Sequence, residues 1–292
     1  MKQIYYIACI SFFVFLFYSC DQKKVSITQL VNNWENKHII FPLQATFIND
    51  KSDTIKHYLS INRKYKILTY VDSIGCTSCK LKLDKWKLFI NNIDSLTNNN
   101  TSFLFFFNSK DKKQICYLLK KERFKIPVCI DKQDSLNKLN HFPSEMMFQT
   151  FLLDKDNKVI AIGNPIHNPK VKELYLKIIT GKEQSGDKNR ATTNVETERT
   201  LVDMGRLDWK KPHDTVFTIK NTGNNLLVVD DIDTTCGCTS ANYSRKPVGK
   251  GEDLDITVTI KPKNKGYFEE TITVYCNAEN TPIQLKIKGN AI

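Results

Sequence analysis

The spacing in this chain best suited to covalent chemistry is Cys76-Thr77-Ser78-Cys79. Upstream, Ile67-Leu68-Thr69-Tyr70-Val71 is short, apolar and β-rich, which predicts a buried strand. Downstream, Leu83, Trp86, Leu88, Phe89, Ile90, Ile93 and Leu96 recur at helical spacing and predict a helix with these side chains inward. The pair is therefore expected where a strand hands over to a helix. A thiol at a helix N-terminus faces unpaired amide N–H groups and the positive end of the dipole, and both favour thiolate. Lys80 and Lys82 add positive charge nearby. Thiolate is the form that attacks a disulfide, so Cys76 is the candidate nucleophile and Cys79 the resolving thiol. A structural disulfide and half of a zinc site are the other readings of the pair. No second Cys-x-x-Cys or His pair at ligand spacing supports zinc, and neither a metal nor a cofactor is expected.

The remaining cysteines sort by compartment. Lys2 precedes an apolar run from Ile4 to Phe17 of signal-peptide length, too short for a comfortable membrane span. The run ends at Leu16-Phe17-Tyr18-Ser19-Cys20 and turns polar at Asp21-Gln22-Lys23-Lys24. This segment resembles a bacterial lipoprotein signal, which implies cleavage before Cys20, a lipid on that cysteine and a chain anchored in the cell envelope, facing the periplasm or the cell surface. Disulfides persist in that compartment. Of nine cysteines, Cys9 would leave with the signal and Cys20 would carry lipid, so an odd number, seven, remains. The net charge of +12, from 43 basic against 31 acidic residues, is scattered along the chain. A nucleic-acid surface would cluster it with Arg and aromatics, so the partners expected are envelope protein thiols and disulfides, with the membrane reached through the anchor and no nucleic acid.

At 292 residues the length predicts about two domains. Ser26 and Gln29 form a capping-box start for a helix presenting Ile27, Leu30, Val31 and Trp34 on one face, and two brief strands, His38–Pro42 and Ala45–Ile48, follow before the polar turn Asn49–Asp53. Past the thiol helix, Ser102–Phe107 is apolar at successive positions, as a strand covered on both faces must be. A helix capped by Ser109 or Asp111 with Ile115, Leu118 and Leu119 inward, a strand Ile126–Ile130 and a short helix carrying Leu136 and Leu139 come next. A hairpin joins Phe151–Asp154 to Val159–Ile162. Asn168 as cap, Pro169 at the first position and Gly181 as stop frame a last helix with Val171, Leu174, Tyr175, Ile178 and Ile179 inward.

Alternating β and α units predict a mainly parallel sheet covered by helices. The Cys76–Cys79 motif, the Phe151–Val159 hairpin and the closing helix together resemble the thioredoxin-like family of envelope-anchored thiol oxidoreductases, over about residues 60 to 181. The resemblance implies thiol–disulfide exchange through Cys76 and Cys79. Gly75 stands where that family usually has an aromatic residue, and Phe148 where it usually has a cis-proline. Cys116 and Cys129 are expected to pack as small hydrophobes beside a helical face and in a buried strand.

Beyond a polar stretch with no apolar period, the texture changes to short alternating strands and turns, which predicts a β-sandwich. The strands expected are Thr200–Met204, Thr215–Ile219, Leu226–Val229, Leu254–Ile260, Thr271–Tyr275 and Ile283–Ile287. With Phe217–Asn224, Cys236-Gly237-Cys238-Thr239 and Lys265–Phe268, the segment resembles a bacterial family of immunoglobulin-like envelope modules of undefined function. Cys236 and Cys238 would share a strand face near the outer limit for bridging, so they are read as secondary thiols: buried, redox partners of Cys76, joined to Cys276, or gathered with it around a soft metal.

The organisation expected is a lipoprotein signal over 1–20, an extension with a short helix and strands over 21–66, a thioredoxin-like domain over 67–181, a linker over 182–198 and an immunoglobulin-like sandwich over 199–292. Two functions fit it. One is a membrane-anchored thiol–disulfide oxidoreductase. The other is a redox-inactive binding or assembly lipoprotein that uses both modules for protein interaction.

Overall fold

A computed structural model describes residues 27–55, 58–60, 63–73, 81–182, 191–235 and 238–292. Residues 27–34 are helical (α1) and run into a seven-stranded mixed sheet. Its strands are β1 (Phe47–Ile48), β2 (Thr54–Ile55), β3 (Tyr65–Val71), β4 (Thr101–Phe107), β5 (Val128–Ile130), β6 (Thr150–Leu153) and β7 (Val159–Ile162), in the order β2-β1-β5-β4-β3-β6-β7. Strands β3, β4 and β5 are parallel, while β6 and β7 add the antiparallel edge. Between them lie α2 (Leu83–Thr97), α3 (Lys112–Lys121), α4 (Ser135–Asn140) and α5 (Pro169–Thr180). This is a thioredoxin-like α/β fold.

The period of two along each strand decides which helices cover which face. Ile67, Val71, Phe103, Phe105 and Phe107 point to one side and pack with α2, α3 and α5 through Trp86, Phe89, Ile93, Ile115, Leu119 and Tyr175. Leu68, Tyr70, Leu104 and Phe106 point to the other and meet Trp34 of α1, Phe47 of β1 and Leu136 of α4. Strand β4 is buried along its whole length, as its unbroken apolar run requires.

The segment before β3 belongs to this sheet. Strand β1 pairs antiparallel with β5, placing Phe47 opposite Cys129, and β2 pairs with β1. Asn140 ties the segment down, its Oδ1 accepting from the Ile40 amide at 2.9 Å and its Nδ2 donating to the Ile40 carbonyl at 2.8 Å. Of the strand expected over His38–Pro42, only an isolated bridge between His38 and Lys158 is present. The capping residue Ser26 lies outside the described residues. Several side chains expected inward face solvent: Ile27, Leu88, Leu96, Leu139 and Leu174 are exposed. Leu88, Leu139 and Leu174 each lie one position from a buried residue, Phe89, Asn140 and Tyr175, while Ile27 and Leu96 lie in the end turns of their helices, and in α2 burial follows the stripe through Leu83, Trp86, Phe89, Ile90 and Ile93.

The second domain is an all-β, immunoglobulin-like sandwich. One sheet is ordered β12-β13-β10-β8 and the other β11-β14-β15-β9. They comprise β8 (Val195–Thr197), β9 (Leu201–Leu207), β10 (His213–Asn221), β11 (Val229–Thr234), β12 (Thr239–Tyr243), β13 (Asp253–Ile260), β14 (Gly266–Cys276) and β15 (Ile283–Ala291). Phe217, Ile219, Ile256, Val258, Ile272, Val274, Leu285 and Ile287 alternate into the shared core. Strand β8 falls where a linker was expected, and β12 was not expected from its polar sequence. Polar side chains close the sandwich's ends. Asn221 donates to the carbonyls of Asn225 and Val248 and accepts from Thr193 Oγ1 at 2.7 Å, leaving its buried amide fully paired.

Candidate functional site

The carboxyl ends of parallel strands are where an open α/β sheet presents its chemistry. Strand β3 ends at Val71 and α2 begins at Leu83, so the Cys-x-x-Cys motif belongs by chain order to that end of the first domain. Cys76 and Cys79 themselves lie outside the described residues, as do Cys20 and Cys236.

The described residues after the motif begin at Leu81. Leu81 is helical but Lys82 has φ 34°, so the helical path is broken there and α2 proper starts at Leu83. The ammonium of Lys82 forms an ion pair with Asp233 of β11 and donates to the Thr234 carbonyl at 3.3 Å. Its charge is spent on the sandwich.

Asp233 is the centre of this contact. Its Oδ2 accepts a 2.5 Å hydrogen bond from Nδ1 of His167, in the turn between β7 and α5, and Lys85 of α2 stands 3.9 Å from its Oδ1. Burial pushes the Asp233 carboxyl upward, but the His167 hydrogen bond and the Lys82 charge outweigh it and hold its pKa below the ordinary value. Two residues before it on the same strand, Asp231 pairs with Lys85 at 2.8 Å. Residues two apart on a strand share a face, and Ile232 between them turns into the sandwich core. His167 is itself buried, and its Nε2 has no hydrogen-bond partner. Beside the ion pairs a cleft of about 690 Å³ opens between Leu88, Phe89 and Ile166 of the first domain and Val229, Tyr243 and Arg245 of the second.

Opposite the end of β3, a single 3₁₀ turn, Met146–Phe148, is capped by Gln149 immediately before β6. The Tyr70 amide donates to the Gln149 carbonyl at 2.9 Å. Gln149 thus faces Tyr70, the last residue but one of β3, and Phe148 follows in the turn toward Val71. The buried Gln149 amide donates to the Pro143 carbonyl at 3.0 Å and reaches Asp72 at 3.4 Å, while its Oε1 is unpaired. Among the described residues the cis peptide is Thr281–Pro282, in the other domain.

Among the described residues, Cys116, Cys129, Cys238 and Cys276 do not gather in one place. Cys129 is buried in β5, and burial followed by the Asp131 charge pushes its pKa up to about 12, as suits a core hydrophobe. Cys116, half-buried on α3, is likewise a free thiol, with no bond to Cys129. Cys238 opens β12's end of the sandwich, with its Sγ 3.8 Å from Glu270 Oε1 and a surface pocket of about 620 Å³ lined by Trp209, Lys210, Lys261 and Lys263. Cys276 lies at the far end of β14 from Glu270, about 20 Å along the strand. A disulfide needs Cα atoms within about 7 Å. This separation corrects the expectation that Cys238 joins Cys276 or shares a metal with it. Among the described residues no three of His, Cys, Asp and Glu converge as a metal-binding set, and no helix is long and apolar enough to cross a membrane.

Comparison with known proteins gives the second domain more than the first. A family described as "Protein of unknown function (DUF1573)" matches residues 195–291. None of the curated proteins matches. Among solved structures, a protein of unknown function from Porphyromonas gingivalis is 21% identical with a TM-score of 0.33, covering 36% of this chain and 50% of its own, so the chain spans half of that protein's length. PapD-like domain 7 of human CEP192 is 10% identical with a TM-score of 0.31, over 38% of this chain and 94% of its own. The thioredoxin domain of a thiol-disulfide oxidoreductase from Bacteroides vulgatus is 11% identical with a TM-score of 0.36, over 48% of this chain and 97% of its own.

His167, Asp231, Asp233, Lys85 and Gln149 were not legible as site residues from the sequence. The alternation Asp231-Ile232-Asp233 is the one signal that marks a strand with an acidic outer face.

Proposed function

We propose that the chain is an envelope lipoprotein, anchored through Cys20, whose thioredoxin-like domain exchanges thiols with protein disulfides through Cys76 and Cys79. The observation that carries this reading is the motif's position in the chain, between the carboxyl end of the central parallel strand β3 and α2. In the exchange, the Cys76 thiolate attacks one sulfur of a partner disulfide and expels the other as thiolate. Cys79 then loses its proton, attacks the Cys76 sulfur of the mixed disulfide and releases the partner's second thiolate. The partner leaves reduced and the Cys76–Cys79 disulfide holds the oxidising equivalents. The test is a Cys79→Ser variant, which stalls at the mixed disulfide. Adducts with envelope proteins that require Cys76 and disappear under reductant support the reading, and their absence overturns it.

A second reading has its own observation. The ion pair of Lys82 with Asp233 commits to the sandwich one of the two lysine charges that would make Cys76 acidic. On this reading the chain is a redox-inactive binding or assembly lipoprotein, and the two modules form one platform for protein partners. Partners recovered equally by wild type and by a Cys76→Ser, Cys79→Ser double variant favour it.

A further inference from the structure

The sandwich carries a pocket of its own at one end of the β12-β13-β10 sheet. Along β13, Leu254, Ile256, Val258 and Ile260 turn into the core, so the alternation turns Thr259 outward. Ser240 of β12 stands directly opposite Thr259, and the Lys261 amide donates to the Cys238 carbonyl at 2.8 Å, carrying the pairing one step beyond both strands. The turn from β9 to β10 brings Trp209 and Lys210 against this end. Together they enclose about 620 Å³, with Trp209 and the buried Pro262 as an apolar wall. Around that wall stand the outward hydroxyls and three exposed lysines, Lys210, Lys261 and Lys263. The described lining holds no carboxylate, side-chain amide or guanidinium. Two acids of this end are engaged elsewhere: Asp208 accepts from the Lys210 amide at 3.0 Å, and Glu270 from the Thr235 hydroxyl.

The lining selects its ligand by chemistry. Ammonium and hydroxyl groups donate to carboxylates, and an ionised acceptor makes the stronger bond. A sugar or a nucleobase edge presents donors of its own, which this lining can accept only through hydroxyls. The indole and the proline ring offer a hydrocarbon side chain a surface away from water. We infer that this pocket binds an acidic polypeptide segment in which carboxylates flank an apolar side chain. The apolar side chain lies against Trp209 and Pro262, and the carboxylates meet Lys210, Lys261 and Lys263. The site belongs wholly to the sandwich, uses neither Cys76 nor Cys79, and stands under either reading of the function.

The test uses the full chain and its own indole. Of the three tryptophans, Trp34 and Trp86 are buried in the first domain and Trp209 is half-exposed, so a change in emission on titration reports the pocket. The probe is an end-blocked peptide, Asp-Glu-Leu-Asp-Glu. It is compared with Asn-Gln-Leu-Asn-Gln, with Asp-Glu-Ser-Asp-Glu and with a uronic-acid oligosaccharide of the same charge. Expected is a saturable change with the first peptide that weakens as salt is raised. The neutral and the serine peptides should each bind about tenfold more weakly, as should the first peptide to a Lys261→Gln, Lys263→Gln double variant. A Lys261→Arg, Lys263→Arg double variant restores binding, and unchanged amide protection of β12 and β13 in both variants shows the sandwich intact. No saturable change up to millimolar peptide, equal binding of the neutral or the serine peptide, or a loss in the glutamine variant that arginine does not restore overturns the inference. Binding of the oligosaccharide as tight as that of the peptide overturns it as well.

Discussion

His167 of the first domain and Asp233 of the second share a 2.5 Å hydrogen bond across the domain boundary, with Lys82 on the carboxylate's other oxygen. A carboxylate so placed is worth more than a surface partner. Exposed ion pairs contribute about 0–1 kcal/mol, whereas removing one member of a buried, hydrogen-bonded set costs about 3–5 kcal/mol. Asp233→Ala is expected to weaken docking by an amount between these limits, and the half-exposed Asp231→Ala by about 1 kcal/mol or less. Domain-resolved hydrogen exchange measures both.

Acid should undo the same contact, with a defined sign. The Asp233 carboxyl in the folded chain lies below its ordinary value of 3.8, because the His167 bond and Lys82 outweigh the effect of burial. A depressed carboxyl contributes stability above its unfolded value and loses it as pH falls through the folded one. Docking due to Asp233 is therefore expected to hold down to ordinary carboxylate pH and to fail only below it. Loss in Asp233→Asn should already be present at neutral pH and change little on acidification. Exchange protection at β11 followed against pH checks this.

The packing of the first domain makes a harder prediction. Trp86 is buried on α2 and meets Phe105 edge-on at 5.0 Å between ring centroids. Trp86→Ala should cost about 3–5 kcal/mol, in the range for large-to-small core substitutions. A denaturant midpoint monitored on the first domain reports it.

In the sandwich the sensitive point is Gly223. A Cβ there would lie 2.1 Å from Thr193 Oγ1 and 2.4 Å from the Asn194 nitrogen, so backbone must shift to admit it. Gly223→Ala is expected to destabilise the second domain by about 1–3 kcal/mol, the usual range for overpacking. Thermal unfolding of the two domains, followed separately, should show the loss confined to the second.

How much of this was legible in the sequence follows from what leaves a periodic trace. Strand β4 and the stripe through Leu83, Trp86, Ile90 and Ile93 announce themselves, because burial on both faces of a sheet or along one face of a helix dictates apolar spacing. The Asn168-Pro169 start and Gly181 stop of α5 were equally readable from capping chemistry. Strands β8 and β12 were not, being short, polar and at sheet edges, where little burial constrains composition. The clamp was least legible. His167, Asp233 and Lys82 are 66 and 151 residues apart in their two contacts, and nothing local to any of them reports the other domain. The Cys-x-x-Cys was visible at once, but the break at Lys82 was not, since a left-handed lysine has no sequence signature.

The reading that Cys76 is a working nucleophile is tested most directly by its own titration together with the potential of its pair with Cys79. With Lys82 paired to Asp233, the acidity of Cys76 must draw on groups other than that ammonium. The account predicts a Cys76 midpoint below the ordinary thiol value of about 8.5 and a reduction potential within the roughly −120 to −270 mV span of exchange proteins. An ordinary alkaline midpoint with a potential below about −300 mV, the mark of a structural disulfide, would contradict it.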